Sequence, residues 1–196
     1  MPDAAVGAVL LAAGRGTRFG PEPKLLARLD GKPLVRHAAE AALASRARPV
    51  VVVLGAHADR IRAALDGLDL AFVENAAFAA GLSTSLRVGL GALPAGTTGA
   101  VILLGDMPRV SAEQIDRLVA AYRTADPRPA AVVPVVAGRR GNPVLLDRCR
   151  LGADLARLTG DHGAGPLLTR RLDVLEIVGE LGTGLDVDTP AALAGL

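Results

Sequence analysis

An α/β fold with a mostly parallel sheet is what this sequence predicts, and three observations lead there. Short, β-branched apolar runs alternate with longer segments of helical period, the pattern left by βαβ units. Each run is flanked by Gly, Pro or a polar turn. Hydrophobic residues make up 51 % of the 196 and charged residues 21 %, a balance that excludes intrinsic disorder and fits one domain of ordinary size.

Taken in order, the apolar runs lie at 5–11, 50–54, 70–73, 100–104 and 130–136. Between them, 33–43 opens with Pro33, a residue suited to a helix N-terminus, and 58–65 puts Ile61, Ala64 and Leu65 on one helical face. The clearest helix is 111–122: Ser111 and Gln114 have capping-box spacing, and Ile115, Leu118, Val119 and Tyr122 follow on one face. After Val136 comes the turn Gly138-Arg139-Arg140-Gly141, then a short run at 143–146 and a helix near 149–158. A glycine-rich loop at 160–165, a further helix to Arg171, a strand at 172–178 and a terminal helix after Pro190 complete the chain. This second half is expected to add a lobe or lid over one edge of the sheet. No internal repeat, low-complexity tract or linker interrupts it.

Composition narrows the function. Three Phe, one Tyr and no Trp leave the core to Ala, Val, Leu and Ile, and argue against sites that stack bases on aromatic platforms. The net charge is only +2 and its charges are scattered, so neither a nucleic-acid nor a membrane surface is expected, and the partner should be small. Cys149 is the single cysteine, which excludes an internal disulfide; with His37, His57 and His162 scattered it also makes no zinc pattern. A cytoplasmic location is the expectation. The apolar run at 6–14 is preceded by Asp3 and followed by Arg15, unlike a signal peptide, and no run reaches the roughly 20 apolar residues of a membrane-spanning helix.

Three motifs carry chemistry. The stretch Leu11-Ala12-Ala13-Gly14-Arg15-Gly16-Thr17-Arg18-Phe19-Gly20, with Lys24 after it, runs a buried strand into a loop of glycines and cations, where backbone N–H groups and fixed positive charge suit a phosphate. It lacks the Gly-Lys-Ser/Thr of a P-loop, and Phe19 stands where a dinucleotide fingerprint needs a small residue. The segment Gly105-Asp106-Met107-Pro108 sets a carboxylate at the C-terminal end of a central strand, where open α/β sheets bind ligands and where Asp can hold Mg²⁺ against a triphosphate. Asp186-Val187-Asp188-Thr189-Pro190 adds two more carboxylates, in a setting that is also an ordinary helix start. Taken singly, the first loop also admits a reading as a plain βα connection, and Asp106 one as a turn residue. Together they supply the cations and carboxylates that phosphoryl and nucleotidyl transfer require, with no nucleophilic side chain.

The glycine-rich stretch with Lys24 resembles the signature of MobA-like nucleotidyltransferases, and within them the molybdenum cofactor cytidylyltransferases of MocA type. The supporting segments, in family order, are Gly81-Leu82-Ser83-Thr84-Ser85-Leu86, Gly105-Asp106-Met107-Pro108, Arg140-Gly141-Asn142-Pro143, Gly160-Asp161-His162-Gly163-Ala164 and the Asp186 to Pro190 segment. The resemblance implies a Rossmann-like three-layer α/β/α domain, the nucleotide-diphospho-sugar transferase fold. Its nucleotide-binding half would cover about 1–110 and its acceptor-binding half about 111–196.

It also implies transfer of CMP from CTP to molybdopterin with release of pyrophosphate, Mg²⁺ as cofactor and a molybdoenzyme as eventual recipient. Leu11, Ala12, Ala13, Gly14, Arg15 and Gly16 would hold the nucleotide. Arg15 and Lys24 would neutralise the triphosphate and, with Asp106, form the catalytic set. Asp106 and Asp188 would bind the metal. Asn75, Gly81, Ser83 and Ser85 would line base and ribose, held by backbone and small polar groups without stacking. Asn142, Pro143, Gly160, Asp161 and Gly163 would face the acceptor.

Two positions bear on specificity: Asn142 stands where the cytidylyl group commonly has His, and Ala13 where guanylyl enzymes usually have a second Gly. The readings beside this one are GTP as donor, another phosphate acceptor, a non-catalytic cofactor carrier, and an NAD(P)H-linked reductase on the same fold, for which no dinucleotide fingerprint is present. The roles of Phe19 and Asp186 stay open.

Overall fold

The computed structural model describes residues 4–16, 19, 22–180, 192, 193 and 195. Thr17, Arg18, Gly20, Asp186, Asp188 and the expected terminal helix start therefore lie outside the described residues.

In chain order the elements are β1 (Val6–Ala12), β2 (Arg28–Leu29), β3 (Lys32–Pro33), α1 (Leu34–Ala44), β4 (Val50–Leu54), α2 (Ala58–Ala64), β5 (Ala71–Glu74) and α3 (Leu82–Ala92). They continue with β6 (Gly99–Leu104), α4 (Ala112–Thr124), β7 (Ala131–Val136), β8 (Arg139–Arg140), β9 (Val144–Asp147), α5 (Arg148–Ala156), α6 (Gly165–Leu168) and β10 (Val174–Val178). Short 3-10 turns at Lys24–Leu26 and Phe78–Ala80 stand just before β2 and α3.

One sheet of eight strands runs β10-β7-β9-β6-β1-β4-β5, with β8 hydrogen-bonded to β7. The pairs β1/β4, β1/β6, β4/β5 and β7/β10 are parallel, whereas β9 runs antiparallel to both β6 and β7. Strands β7, β9 and β10 thus extend the same sheet, so among the described residues these strands of the second half, expected to add a lobe or lid over one edge, continue that edge itself.

Alternate residues of β1 divide the core, as the period of two demands. Ala8 and Leu10 pack toward Val35 and Ala38 of α1, Ile61 of α2 and Leu118 of α4. Val9 and Leu11 pack toward Leu86 and Leu90 of α3 and Leu151 and Leu155 of α5. Both faces of β1 and β4 are buried, which explains their unbroken apolar reading. Helices on two faces make the three-layer α/β/α arrangement.

Two caps set the register of the later helices. Ser111 Oγ accepts the Gln114 N–H at 3.1 Å at the start of α4. Asp147 Oδ1 accepts the N–H groups of Cys149 and Arg150 at 2.9 and 2.8 Å at the start of α5, and its Oδ2 accepts the hydroxyl of fully buried Tyr122 at 2.7 Å. Burial first, and the Asp147 carboxylate second, push the Tyr122 phenol up to about 12.

Candidate active site

The C-terminal ends of β1, β4 and β6 open into a cavity of about 530 Å³, the position in which open α/β sheets take ligands. Its wall on the β1 side is Leu11, Ala13, Gly14, Arg15 and Gly16, the loop marked out by its glycines. Ala13 O accepts the Ala56 N–H at 3.1 Å, which ties the loop to the end of β4. Gly16 has φ +60°, and a Cβ there would stand 2.9 Å from Lys24 Cβ, so only glycine lets the loop close over Lys24.

Lys24 begins the 3-10 turn before β2, and its Nζ lies 2.6 Å from Asp106 Oδ2. The two side chains are only 11 % and 20 % exposed, so the pair is largely withdrawn from water. Asp106 is brought there by the turn after β6, where Gly105 N–H bonds Leu11 O at 3.1 Å and Met107 N–H bonds Leu104 O at 3.3 Å. Its other oxygen, Oδ1, is buried and meets no hydrogen-bond partner among the described residues. A carboxylate oxygen left unsatisfied beside a cavity is a hard donor with capacity for a divalent cation. Among the described residues no three His, Cys, Asp or Glu side chains converge on one point, so Asp106 is the described contribution to any such site.

Arg15 is exposed, and its guanidinium stands over the Phe78 ring at 5.5 Å. Phe78 and His57 both line the cavity, and His57 Nε2 lies 3.4 Å from Arg15 O. The sparse aromatic composition gave no hint that one of four aromatics would stand in the wall of the first cavity. Phe19 lies elsewhere, packed with Leu29 and Leu34 in a small apolar cluster.

A second cavity of about 470 Å³ adjoins the first and shares Leu11, Leu82, Leu104 and Asp161 with it. Its floor is aliphatic, from Leu86, Ile102, Val133 and Val144, with Asn142, His162 and Thr169 among its polar groups. The Arg140 guanidinium on its wall is engaged by Glu176 Oε1 and Leu168 O, each at 2.8 Å.

The expected site residues separate accordingly. Leu11, Ala13, Gly14, Arg15, Gly16, Lys24, Gly81, Ser85, Asp106 and Asp161 line the first cavity, and Asn142, Asp161 and Gly163 line the second. Five line neither. Ala12 is 2 % exposed and belongs to the core, because its side chain follows Leu10 to the far face of β1. Ser83, in the first turn of α3, is fully buried, and Pro143 is buried as well. Asn75, 3 % exposed, stands behind the wall and bonds Thr84 and Ser85 instead of facing the cavity. Gly160 supports the N-terminus of α3: its carbonyl accepts the Ser83 N–H at 3.2 Å. Gly81, at φ +109°, crosses the Gly160 backbone so closely that any side chain would collide with it.

Residues outside the expected set also shape the first cavity, among them Leu25, Ile61, Phe78 and Leu82. Of these, Ile61 was expected on one face of a helix and Leu82 within the Gly81 to Leu86 segment, and the fold turns both to the cavity.

Known proteins sharpen the geometry. Over 190 residues the chain is 33 % identical to nicotine blue oxidoreductase of Paenarthrobacter nicotinovorans, covering 94 % of this chain and 92 % of that one. It is 38 % identical over 141 residues to 2-C-methyl-D-erythritol 4-phosphate cytidylyltransferase of Streptomyces coelicolor, covering 68 % of this chain and 50 % of that one. The bifunctional protein GlmU of Kineococcus radiotolerans is 38 % identical over 124 residues, which are 62 % of this chain but a quarter of GlmU (25 %).

Among solved structures, Rv0371c of Mycobacterium tuberculosis superposes with a TM-score of 0.82 at 31 % identity, covering 98 % of this chain and 97 % of that one. A structure of that protein in complex with manganese gives a TM-score of 0.80, covering 98 % of each chain. The profile of the MobA-like NTP transferase domain matches residues 8–174. With that match spanning most of the chain, the protein belongs to the MobA-like NTP transferase domain family.

Proposed function

We propose that this protein is a divalent-metal-dependent nucleotidyltransferase that moves CMP from CTP to a molybdopterin-type acceptor and releases pyrophosphate. The observation that carries the reading is the Lys24 and Asp106 pair, 2.6 Å apart at the mouth of the first cavity, beside the Leu11 to Gly16 loop. A nucleoside triphosphate in that cavity would bring several negative charges to a wall that supplies two cations, Arg15 and Lys24. Lys24 then exchanges Asp106 for phosphate oxygens, which leaves both Asp106 oxygens free for the cation. A bound Mg²⁺ or Mn²⁺ would draw charge from the triphosphate and leave the α-phosphorus more open to attack.

The transfer forms one bond and breaks one. An oxygen of the acceptor's terminal phosphate attacks the α-phosphorus, and the bond from that phosphorus to the oxygen bridging toward the β-phosphate breaks. Arg15 and Lys24 hold the charge that grows on the departing pyrophosphate. The second cavity, contiguous with the first through Leu11, Leu82, Leu104 and Asp161, is the proposed acceptor side, and its aliphatic floor suits the flat face of a pterin ring. Asn142, Asp161 and Gly163 supply its polar wall in this reading. Asp188 would complete the metal site from outside the described residues. The proposed setting is cytoplasmic, in keeping with one exposed free cysteine, Cys149.

Purified protein given Mg²⁺, CTP and molybdenum-loaded molybdopterin should release one pyrophosphate per CTP consumed. Parallel reactions with GTP, ATP and UTP, and with sugar phosphates as acceptors, fix donor and acceptor. Silence across every nucleotide and acceptor pair would end the transferase reading.

A second reading is favoured by one observation, the 33 % identity to nicotine blue oxidoreductase across 92 % of that protein's length. On that reading the first cavity takes the nucleotide end of a reduced nicotinamide cofactor and the second takes an organic oxidant with an apolar face. Loss of NADH or NADPH absorbance with a quinonoid dye, and no pyrophosphate release, would select it.

A further inference from the structure

The two cations of the first cavity are held in different ways. Lys24 has Asp106 at 2.6 Å. Among the described residues no carboxylate pairs with the Arg15 guanidinium, and no acceptor takes its side-chain N–H groups. What it meets is the Phe78 ring, with Cζ 5.5 Å from the ring centre, within the range at which a cation is drawn to the negative face of an aromatic. Other arginines of the molecule are tied to acids: Arg60 to Glu22, Arg140 to Glu176, and Arg62 to Glu74 at 3.1 Å even though Arg62 also stands 4.7 Å over the Phe72 ring.

Both partners of this contact stand on anchored backbone. Phe78 opens the 3-10 turn before α3, where its N–H bonds Asn75 O at 3.3 Å and its carbonyl accepts the Gly81 N–H at 3.2 Å. Asn75 is pinned in turn by its own N–H on Leu54 O at 2.9 Å and by its Oδ1, which accepts the Ala77 N–H at 3.0 Å. The half-buried Phe78 side chain packs on the apolar cluster that holds Leu86 and Leu90. On the other side, the Arg15 loop is fixed by the bond from Ala56 N–H to Ala13 O and by the closure of Gly16 over Lys24.

A ring and a carboxylate hold a cation with different consequences. A carboxylate cancels the charge and occupies N–H donors, so an incoming phosphate must displace it. A ring face attracts the charge while carrying none, and it leaves the fork of N–H donors unspent. A long side chain also loses rotamer freedom when it grips a ligand, and one already resting on a ring has less to lose.

We propose that Phe78 is a positioning residue: its ring face preorganises the Arg15 guanidinium for the triphosphate and keeps its N–H donors free. This rests on the transferase reading of the first cavity. Phe78 takes no part in holding phosphate; it acts through Arg15.

Equilibrium binding of CTP with Mg²⁺ to wild type, Phe78→Leu, Phe78→Tyr, Arg15→Gln and the Arg15→Gln, Phe78→Leu double variant tests the idea. Loss of the ring should weaken CTP about threefold, the worth of a cation over an exposed aromatic. Phe78→Tyr keeps the ring face and should keep the wild-type affinity. In the Arg15→Gln background Phe78→Leu should change nothing further. An equal loss with Arg15 already removed makes Phe78 a piece of wall packing and overturns the proposal. Tighter binding by Phe78→Leu overturns it too, because the ring would then be holding Arg15 away from the ligand. Should Phe78→Leu fail to fold, phenylalanines carrying one, two and three ring fluorines at position 78 keep the shape while draining charge from the ring face. Affinity should fall with each fluorine, and a flat series overturns the proposal. Failure of the transferase reading shows in the wild type, which then binds no CTP and takes this inference with it, whereas failure of this inference alone shows only in the variants.

Discussion

Strand β6 has a carboxylate at each end, and the two are treated oppositely. At its N-terminal end Gly99 pairs with Asp147, whose two oxygens accept from the Tyr122 hydroxyl and from the N–H groups of Cys149 and Arg150. At its C-terminal end Asp106 holds Lys24 through one oxygen and leaves the other buried without a partner among the described residues. The first carboxylate is spent on the fold, tying α4, β9 and α5 together. The second retains capacity for something the described residues do not supply. Burial alone does not separate them; the count of satisfied lone pairs does.

The largest effect should come from Asp106→Asn. Removing its charge takes away both the ligand proposed for the cation and the carboxylate partner of Lys24, so nucleotidyl transfer is expected to fall about a thousandfold while the melting temperature changes little. Steady-state pyrophosphate release and a thermal melt on one sample check both halves. Asp147→Ala should do the reverse. It removes the α5 cap and strands the Tyr122 hydroxyl, costing about 3 kcal/mol in urea unfolding, with transfer per folded molecule kept.

Lys24→Arg is next, at about tenfold in turnover. A guanidinium fork retains the charge but replaces a compact ammonium beside a loop that closes tightly on Lys24. An unimpaired Lys24→Arg enzyme would count against Lys24 as the phosphate partner. Smallest is a pH effect at the structural end. The Tyr122 phenol is raised from its ordinary value of 10 to about 12, so the folded state favours the neutral form. Its contribution is full below pH 10 and is lost as pH rises through 12. Urea midpoints should drop over that interval in wild type and stay flatter in Tyr122→Phe.

These ends were unequally legible in sequence. Asp106 was readable because a Gly-Asp pair closing an apolar run is a local signal, and so was the glycine-rich loop after β1. Asp147 gave no such signal, since Tyr122 lies 25 residues away and only β9, running antiparallel to β6, brings them together. The strands β1, β4 and β6 were clear from their buried faces. Helix α3 was not: Ser83, Thr84, Ser85, Gly89 and Gly91 have low helix propensity, and its geometry depends on the Gly81 crossing with Gly160.

The family resemblance predicted the neighbourhood of Asn75, Ser83 and Ser85 but not their direction. Only Ser85 reaches the cavity, because side-chain facing in a helix is settled by the packing of the whole element. Phe78 shows the same limit from the apolar side, as composition counts aromatics without placing them.

Ligand-induced stabilisation tests the difference between the two carboxylates most directly. Melting temperatures are measured with CTP alone and with CTP plus Mn²⁺, for wild type, Asp106→Asn and Asp147→Ala. The account predicts an added, metal-dependent rise in wild type and in Asp147→Ala, from a lower baseline in the latter, and none in Asp106→Asn. A metal-dependent rise of equal size in Asp106→Asn would contradict it.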